Sequence, residues 1–133
     1  MGQQNHMRWD CEKQGCFNKR MRLKLEQFHD CFPGKINFTD IDAAVEQGGA
    51  FIFQEWKSHA GPTPLGQRLL FERLSALSRK IAVFVVCGNA ELMECRAYRL
   101  VWDGKEGPWV AADFSELKQR ICAFRDWALQ KAA

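Results

Sequence analysis

"DIDAAVEQGGAFIFQEWK", residues 40–57, decides how this chain is read. Gly48-Gly49 divides two stretches of strand character and suits a two-residue hairpin turn. With that turn, Gln47 lies opposite Ala50, Glu46 opposite Phe51, Ala44 opposite Phe53, Asp42 opposite Glu55 and Asp40 opposite Lys57. Side chains two apart on a strand share a face. Asp40, Asp42, Glu55 and Lys57 therefore project from one face at the far end of the hairpin. Directly opposed residues hold their Cβ atoms about 4.5–5.5 Å apart, so Asp42 and Glu55 are two carboxylates side by side. A four-residue loop keeps this register, and a three-residue loop with a bulge shifts it by one.

Opposed like charges destabilise a sheet unless something positive lies between them. A hard divalent cation such as Mg2+ is the natural occupant, because it takes oxygen ligands and keeps several waters. Lys57 adds an ammonium that can orient or deprotonate a water, or neutralise charge developing on a phosphate. Metal, water and cation together are what phosphodiester hydrolysis requires. The same spacing also fits a plain solvated strand edge, with Lys57 and Asp40 as a surface ion pair worth little.

Outward from the hairpin, residues 36–46 and 50–57 read as its two strands. Before it, Phe17, Met21, Leu25 and Phe28 have helical spacing with a basic outer face of Lys19, Arg20, Arg22 and Lys24. Met21, Leu23 and Leu25 also alternate as a strand would, and Pro33-Gly34 ends the segment either way. After it, residues 59–64 form a loop. Thr63-Pro64 then has the form of an N-cap followed by proline at the first helical position. Leu65, Leu69, Leu70, Leu74 and Leu77 supply the apolar stripe of that helix. Residues 81–87 are a valine-rich buried strand. Residues 95–102 and 109–112 make a second hairpin around the 103–107 loop. Asp113 or Ser115 caps a last helix with Leu117, Ile121, Phe124 and Leu129 on its apolar face. The order is helix, two strands, helix, strand, hairpin, helix, which predicts an α/β (α+β) fold with one mixed sheet flanked by helices.

The chain has 133 residues and a formal charge of +3. That length suits one domain with one core, placed at 8–133, with a disordered or expression-derived tail at 1–7. The mild charge permits a nucleic-acid partner without demanding one. Six cysteines in a chain with ample core residues and no leader sequence are read as reduced, and the compartment as cytoplasmic. No apolar run is long enough to span a bilayer, so no membrane role is expected.

The residues on the hairpin resemble the PD-(D/E)XK nuclease superfamily. An aspartate stands in one strand (Asp42, within "TDIDAAVE"), a second strand ends in E-x-K (Glu55 and Lys57, within "QEWK"), and an amphipathic helix follows. Some branches carry a glutamine near the start of that helix, where this chain has Gln67. The match covers about residues 20–86, and the motif is short. Ile41 stands where the motif's name has proline. The resemblance implies a restriction-endonuclease-like core, Mg2+ or Mn2+ dependence and hydrolysis of DNA or RNA phosphodiesters. Asp42 and Glu55 would bind metal and Lys57 would act on the attacking water. Many members add a glutamate from the first helix; Glu26 and Glu12 are both candidates. The small stand-alone members of phage-like genomes are the most similar in character. Substrate form stays open between duplex, single strand, flap and junction. So small a surface points to a homodimer or a larger protein partner.

Other groups carry competing readings. Cys11 and Cys16 with His29 and Cys31 could bind zinc, although the spacing is uncommon; otherwise they behave as small apolar residues, as Cys87, Cys95 and Cys122 are expected to. Lys19, Arg20, Arg22 and Lys24, with Lys13 before them, could track a nucleic-acid backbone or be a solvated face. Arg68, Arg73, Arg79 and Lys80 have the same ambiguity. Ser58 and His59 could touch a phosphate or be ordinary loop residues. Trp56, on the opposite face from Glu55, is assigned to the core. Trp102 and Trp109 could stack on bases, against packing across their hairpin. Alternatives to a nuclease are a catalytically silent nucleic-acid-binding or regulatory module on the same fold, and a small zinc-bound interaction domain.

Overall fold

Gly48 and Gly49 form the two-residue turn that their lack of a side chain permits. Their φ values are +56° and +83° in a computed structural model that describes residues 23–130. The turn joins β1 (Ala43–Gln47) to β2 (Ala50–Lys57), antiparallel, with Gln47 opposite Ala50 and Ala44 opposite Phe53. This is the register expected from the sequence. The first strand is shorter than expected. Its ladder ends at Ala43 opposite Gln54, and residues 36–42 are not strand. Asp42 and Asp40 therefore precede β1 rather than lying within it.

The chain continues through α1 (Leu65–Ala76), β3 (Ile81–Asn89), β4 (Glu94–Trp102), β5 (Lys105–Glu106), β6 (Val110–Ala111) and α2 (Phe114–Gln130). These strands form one six-stranded mixed sheet in the order β1-β2-β3-β4-β5, with β6 also paired to β4. β2 and β3 are parallel and α1 crosses between them; the other pairs are antiparallel. Ile81 through Gly88 are all buried, as a central strand covered on both faces must be. The expected second hairpin turns more tightly than its sequence suggested. Asp103 and Gly104, both at positive φ, reverse the chain into β5, and Gly104 N–H donates to Ser75 Oγ on α1 at 3.1 Å.

The two helices cover opposite faces. On one, Phe71 of α1 packs with Val83, Val85 and Val101, joined by Phe53, Leu70 and Trp109. On the other, Leu117 of α2 packs with Ile52, Phe84, Val86 and Tyr98, joined by Trp56, Trp102, Ile121 and Phe124. Trp56 thus packs against the core on the expected face, partly buried. Trp102 and Trp109 do not pack on one another across a hairpin, because they belong to clusters on opposite faces of the sheet.

Several local expectations change. Thr63 is not the helix cap. Pro64 holds that position with ψ 141°, and its carbonyl accepts the first helical bond from Arg68 N–H at 2.9 Å. The Thr63 hydroxyl instead donates to Glu106 Oε2 at 2.7 Å. The inward stripe of α1 is Gln67, Leu70, Phe71, Leu74 and Ser75, while Leu65 and Leu77 are exposed at 68% and 77%. Asp113 rather than Ser115 caps α2. Its Oδ1 accepts from Glu116 N–H at 2.8 Å and the Glu116 carboxylate accepts from Asp113 N–H at 3.1 Å, a reciprocal capping box. Cys87 and Cys95 are buried, but Cys122 lies on the outer side of α2 and is exposed.

The described residues fall into two compact units, one ending at Thr39 and one beginning at Asp40. The first contains a 3-10 helix, Leu25–Cys31, and the edge-on contacts of Phe38 with Phe28 and Phe32, each at 5.5 Å between ring centres. The expected helix from Phe17 lies mostly outside the described residues. Among the described residues no helix is long and apolar enough to cross a membrane.

Candidate active site at the end of the second strand

β2 alternates between the two cores. Ile52 and Trp56 join the α2 side and Phe53 joins the α1 side. Alternation then puts Glu55 and Lys57 on the α1 side, at the carboxyl end of the strand. In the parallel ladder Glu55 is matched with Val85, and Lys57 with Cys87. Residues on α1 reach the same face when they stand three or four positions from a buried one. Gln67 precedes Leu70 by three and Phe71 by four, so the packing of α1 turns Gln67 onto the sheet.

The result is a direct contact. Gln67 Nε2 donates to Glu55 Oε2 at 2.7 Å. The other oxygens of the pair, Glu55 Oε1 and Gln67 Oε1, are buried and have no hydrogen-bond partner. Burial raises the Glu55 pKa above the usual glutamate value, and the negative charge of Asp42 raises it further. The Gln67 amide, the main chain of Asp42 and the Lys57 ammonium pull it partly back. Asp42 reaches this end of β2 by a different route from ladder pairing. Its Oδ2 accepts from Trp56 N–H at 2.7 Å, so the carboxylate takes over from the strand partner one residue beyond the end of β1.

Asp42, just before β1, and Glu55, Lys57 and Gln67, on β2 and α1, therefore converge on the carboxyl end of β2. Ser58 and His59 follow directly on β2 and are exposed. Lys24 and Glu26 belong to the N-terminal unit, where the Glu26 carbonyl oxygen lies 3.0 Å from His29 Nδ1. Lys13, Lys19, Arg20, Arg22, Glu12, Cys11 and Cys16 lie outside the described residues. Cys31 is exposed. Among the described residues no group of three or more His, Cys, Asp or Glu is placed to hold a metal ion. A pair of carboxylates is still enough protein for Mg2+, which is commonly held by one or two carboxylates with waters and substrate oxygens completing its shell. The unpartnered Glu55 Oε1 is a hard oxygen donor of the kind such an ion takes.

A network that the sequence reading missed holds α1 in place. Arg99 Nη1 pairs with Glu106 Oε1 at 3.2 Å, with both side chains largely buried. Arg99 Nε donates to Gly107 O at 2.9 Å, and the guanidinium lies 4.9 Å from the centre of the Trp109 ring. Glu106 in turn accepts from Thr63, next to the start of α1. No sequence spacing announces this network, because its members come from β4, β5 and two loops. Of the second basic group, Arg68 is paired with Glu72 and Arg79 with Asp103, and Lys80 Nζ donates to Gly48 O at 2.8 Å. Comparison with family models, with curated proteins and with solved structures gives no match for this chain.

Proposed function

We propose that this chain is a metal-dependent nuclease that hydrolyses phosphodiester bonds of DNA, on a restriction-endonuclease-like core. The observation that carries the reading is the half-buried Glu55 carboxylate. It is hydrogen-bonded by Gln67, coupled to Asp42 and accompanied by Lys57, and it keeps one buried oxygen without a partner. A carboxylate in that setting costs stability in the folded protein unless a cation or a proton joins it. Sites of this kind, with a charge made unfavourable by burial and a neighbouring charge, cluster where chemistry is done.

Asp42 and Glu55 are the residues that would hold Mg2+ or Mn2+. A bound divalent ion supplies Lewis-acid activation of the phosphate and an acidified water. The rest is work for the chain's own groups. Lys57 sits two residues beyond Glu55 on the same face, where its ammonium can orient the attacking water or offset charge on the phosphoryl oxygens. Gln67 fixes the orientation of the Glu55 carboxylate and adds no charge. The position at the carboxyl ends of parallel β2 and β3 is where open sheets with helical crossovers commonly bind ligands.

The test is a cleavage panel of duplex, single-stranded, flap and junction DNA and a matching RNA, in Mg2+, Mn2+ or chelator. Metal-dependent cleavage of at least one DNA, lost in Glu55→Gln, supports the reading. Binding without cleavage in either metal would place the chain among catalytically silent nucleic-acid-binding modules. Neither binding nor cleavage would end the nuclease reading.

A further inference from the structure

Strict alternation along β4 does not hold at Arg96. The ladder pairs Cys87 with Ala97 and then Gly88 with Cys95, so Arg96 has no opposite residue and is the extra residue of a β-bulge. The bulge depends on Gly88, because a Cβ there would lie 2.0 Å from the carbonyl oxygen of Glu94. Bulges re-aim side chains, and this one sends Arg96 across the sheet. Its Nη2 donates to the carbonyl of Ser58 at 2.5 Å and lies 3.5 Å from Cys87 Sγ. Ser58 is the first residue after β2, and Cys87 is the ladder partner of Lys57. The guanidinium thus arrives at the end of β2, the strand end that carries Glu55 and Lys57.

Arg96 is, with Arg73 and Arg120, one of the described arginines that stand outside any carboxylate pair. Arg68, Arg79, Arg99 and Arg125 each pair with a carboxylate. Among the described residues Arg96 pairs with none; its contacts are a carbonyl and a thiol, both neutral. Lys57, paired with Cys87 in the ladder, and Arg96, in contact with Cys87 Sγ, therefore bring two cationic residues to one strand end. We propose that Arg96 grips a backbone phosphate of the nucleic acid next to the scissile bond, an inference that rests on the nuclease reading. A guanidinium fork matches two phosphate oxygens in one plane, which an ammonium does not. Lys57 is left to serve the reacting phosphate, and Arg96 sets the register of the strand. Such a contact is with the backbone and carries no sequence preference.

The experiment measures binding of fluorescein-labelled single-stranded and duplex DNA by anisotropy across a salt series, in a Glu55→Gln background that prevents turnover. Adding Arg96→Gln, which keeps a donor for the Ser58 carbonyl but no charge, should weaken binding by about tenfold. It should also reduce the slope of log affinity against log salt by about one. Arg96→Lys should keep the slope and still lose affinity, and this holds as a test if the glutamine variant does not fold. Unchanged affinity and slope in Arg96→Gln, with the parent binding DNA, would overturn the role of Arg96 and leave the nuclease reading intact. A parent that does not bind, together with a wild type that cleaves nothing, would overturn both.

Discussion

Gln67 Nε2 lies 2.7 Å from Glu55 Oε2 and ties the first turn of α1 to the end of β2. The bond lowers a Glu55 pKa that burial and Asp42 raise. Gln67→Ala should therefore slow cleavage by about 10- to 1000-fold, as loss of a positioning hydrogen bond does. It should also move the acid limb of the pH–rate profile to higher pH, because the carboxylate loses a partner for its charged form. A rate defect with an unmoved acid limb would show that Gln67 does not act through Glu55.

Lys57→Ala should abolish cleavage and leave divalent-ion affinity within a few fold of wild type. In the proposed mechanism the ammonium serves the chemistry and is not a ligand. Single-turnover cleavage and isothermal titration with Mn2+ on the same preparation check the two halves, and turnover near the wild-type rate would remove Lys57 from the mechanism.

Asp42→Asn separates charge from structure. The asparagine keeps an oxygen to accept from Trp56 N–H, so the end of the hairpin stays closed. What it removes is the charge that pushes against Glu55. The metal-free variant should melt above the wild type. Wild type should gain about 2.7 kcal/mol when Mn2+ stands at a hundred times its Kd, by mass action alone. The variant should lose most of that gain and all cleavage. Melting of both proteins at constant ionic strength, in chelator and in Mn2+, decides it. An equal metal shift in the two would mean that Asp42 is not a ligand.

Glu55 gives the metal-free protein a pH dependence of definite sign. Its folded pKa stands above the ordinary value of 4.5. Between those two values the native state binds the proton more tightly than the unfolded chain does. Stability from this group is present below 4.5 and is lost as pH rises through the folded pKa. Glu55→Gln should remove that slope and leave the variant more stable than wild type at neutral pH. Metal affinity should run the other way and fall as Glu55 protonates in acid. Urea unfolding of both proteins in chelator across this pH range is the check; parallel curves would contradict the assignment.

The Arg99–Glu106 pair anchors the entry to α1 through Thr63. Glu106→Ala leaves a largely buried guanidinium without its carboxylate, a change that costs about 3–5 kcal/mol. Denaturant unfolding should show that loss, and cleavage by the surviving folded protein should fall because α1 carries Gln67. A loss below about 1 kcal/mol would place the pair in the class of solvent-exposed bridges.

The sequence by itself determined the hairpin and its register. Gly48-Gly49 can take two consecutive positive φ values that other residues resist, and a two-residue turn leaves no freedom in what lies opposite what. It also determined the mixed sheet flanked by helices, since a buried valine strand and amphipathic segments have few ways to cover each other. Tertiary structure decided the rest. Asp42 meets the site through a side-chain bond to Trp56 N–H and not through a ladder pair, because β1 ends at Ala43. Counting leucines gives only part of the inward face of α1: Phe71, with Leu70, packs over Val83 and Val101, while Leu65 and Leu77 are exposed. Arg96 could not be placed by alternation, because one extra residue opposite Cys87 and Gly88 turns it out of phase. Spacing within one strand or helix is written in the chain. Which side chains meet between elements depends on packing volume and on bulges, and no period along the sequence records either.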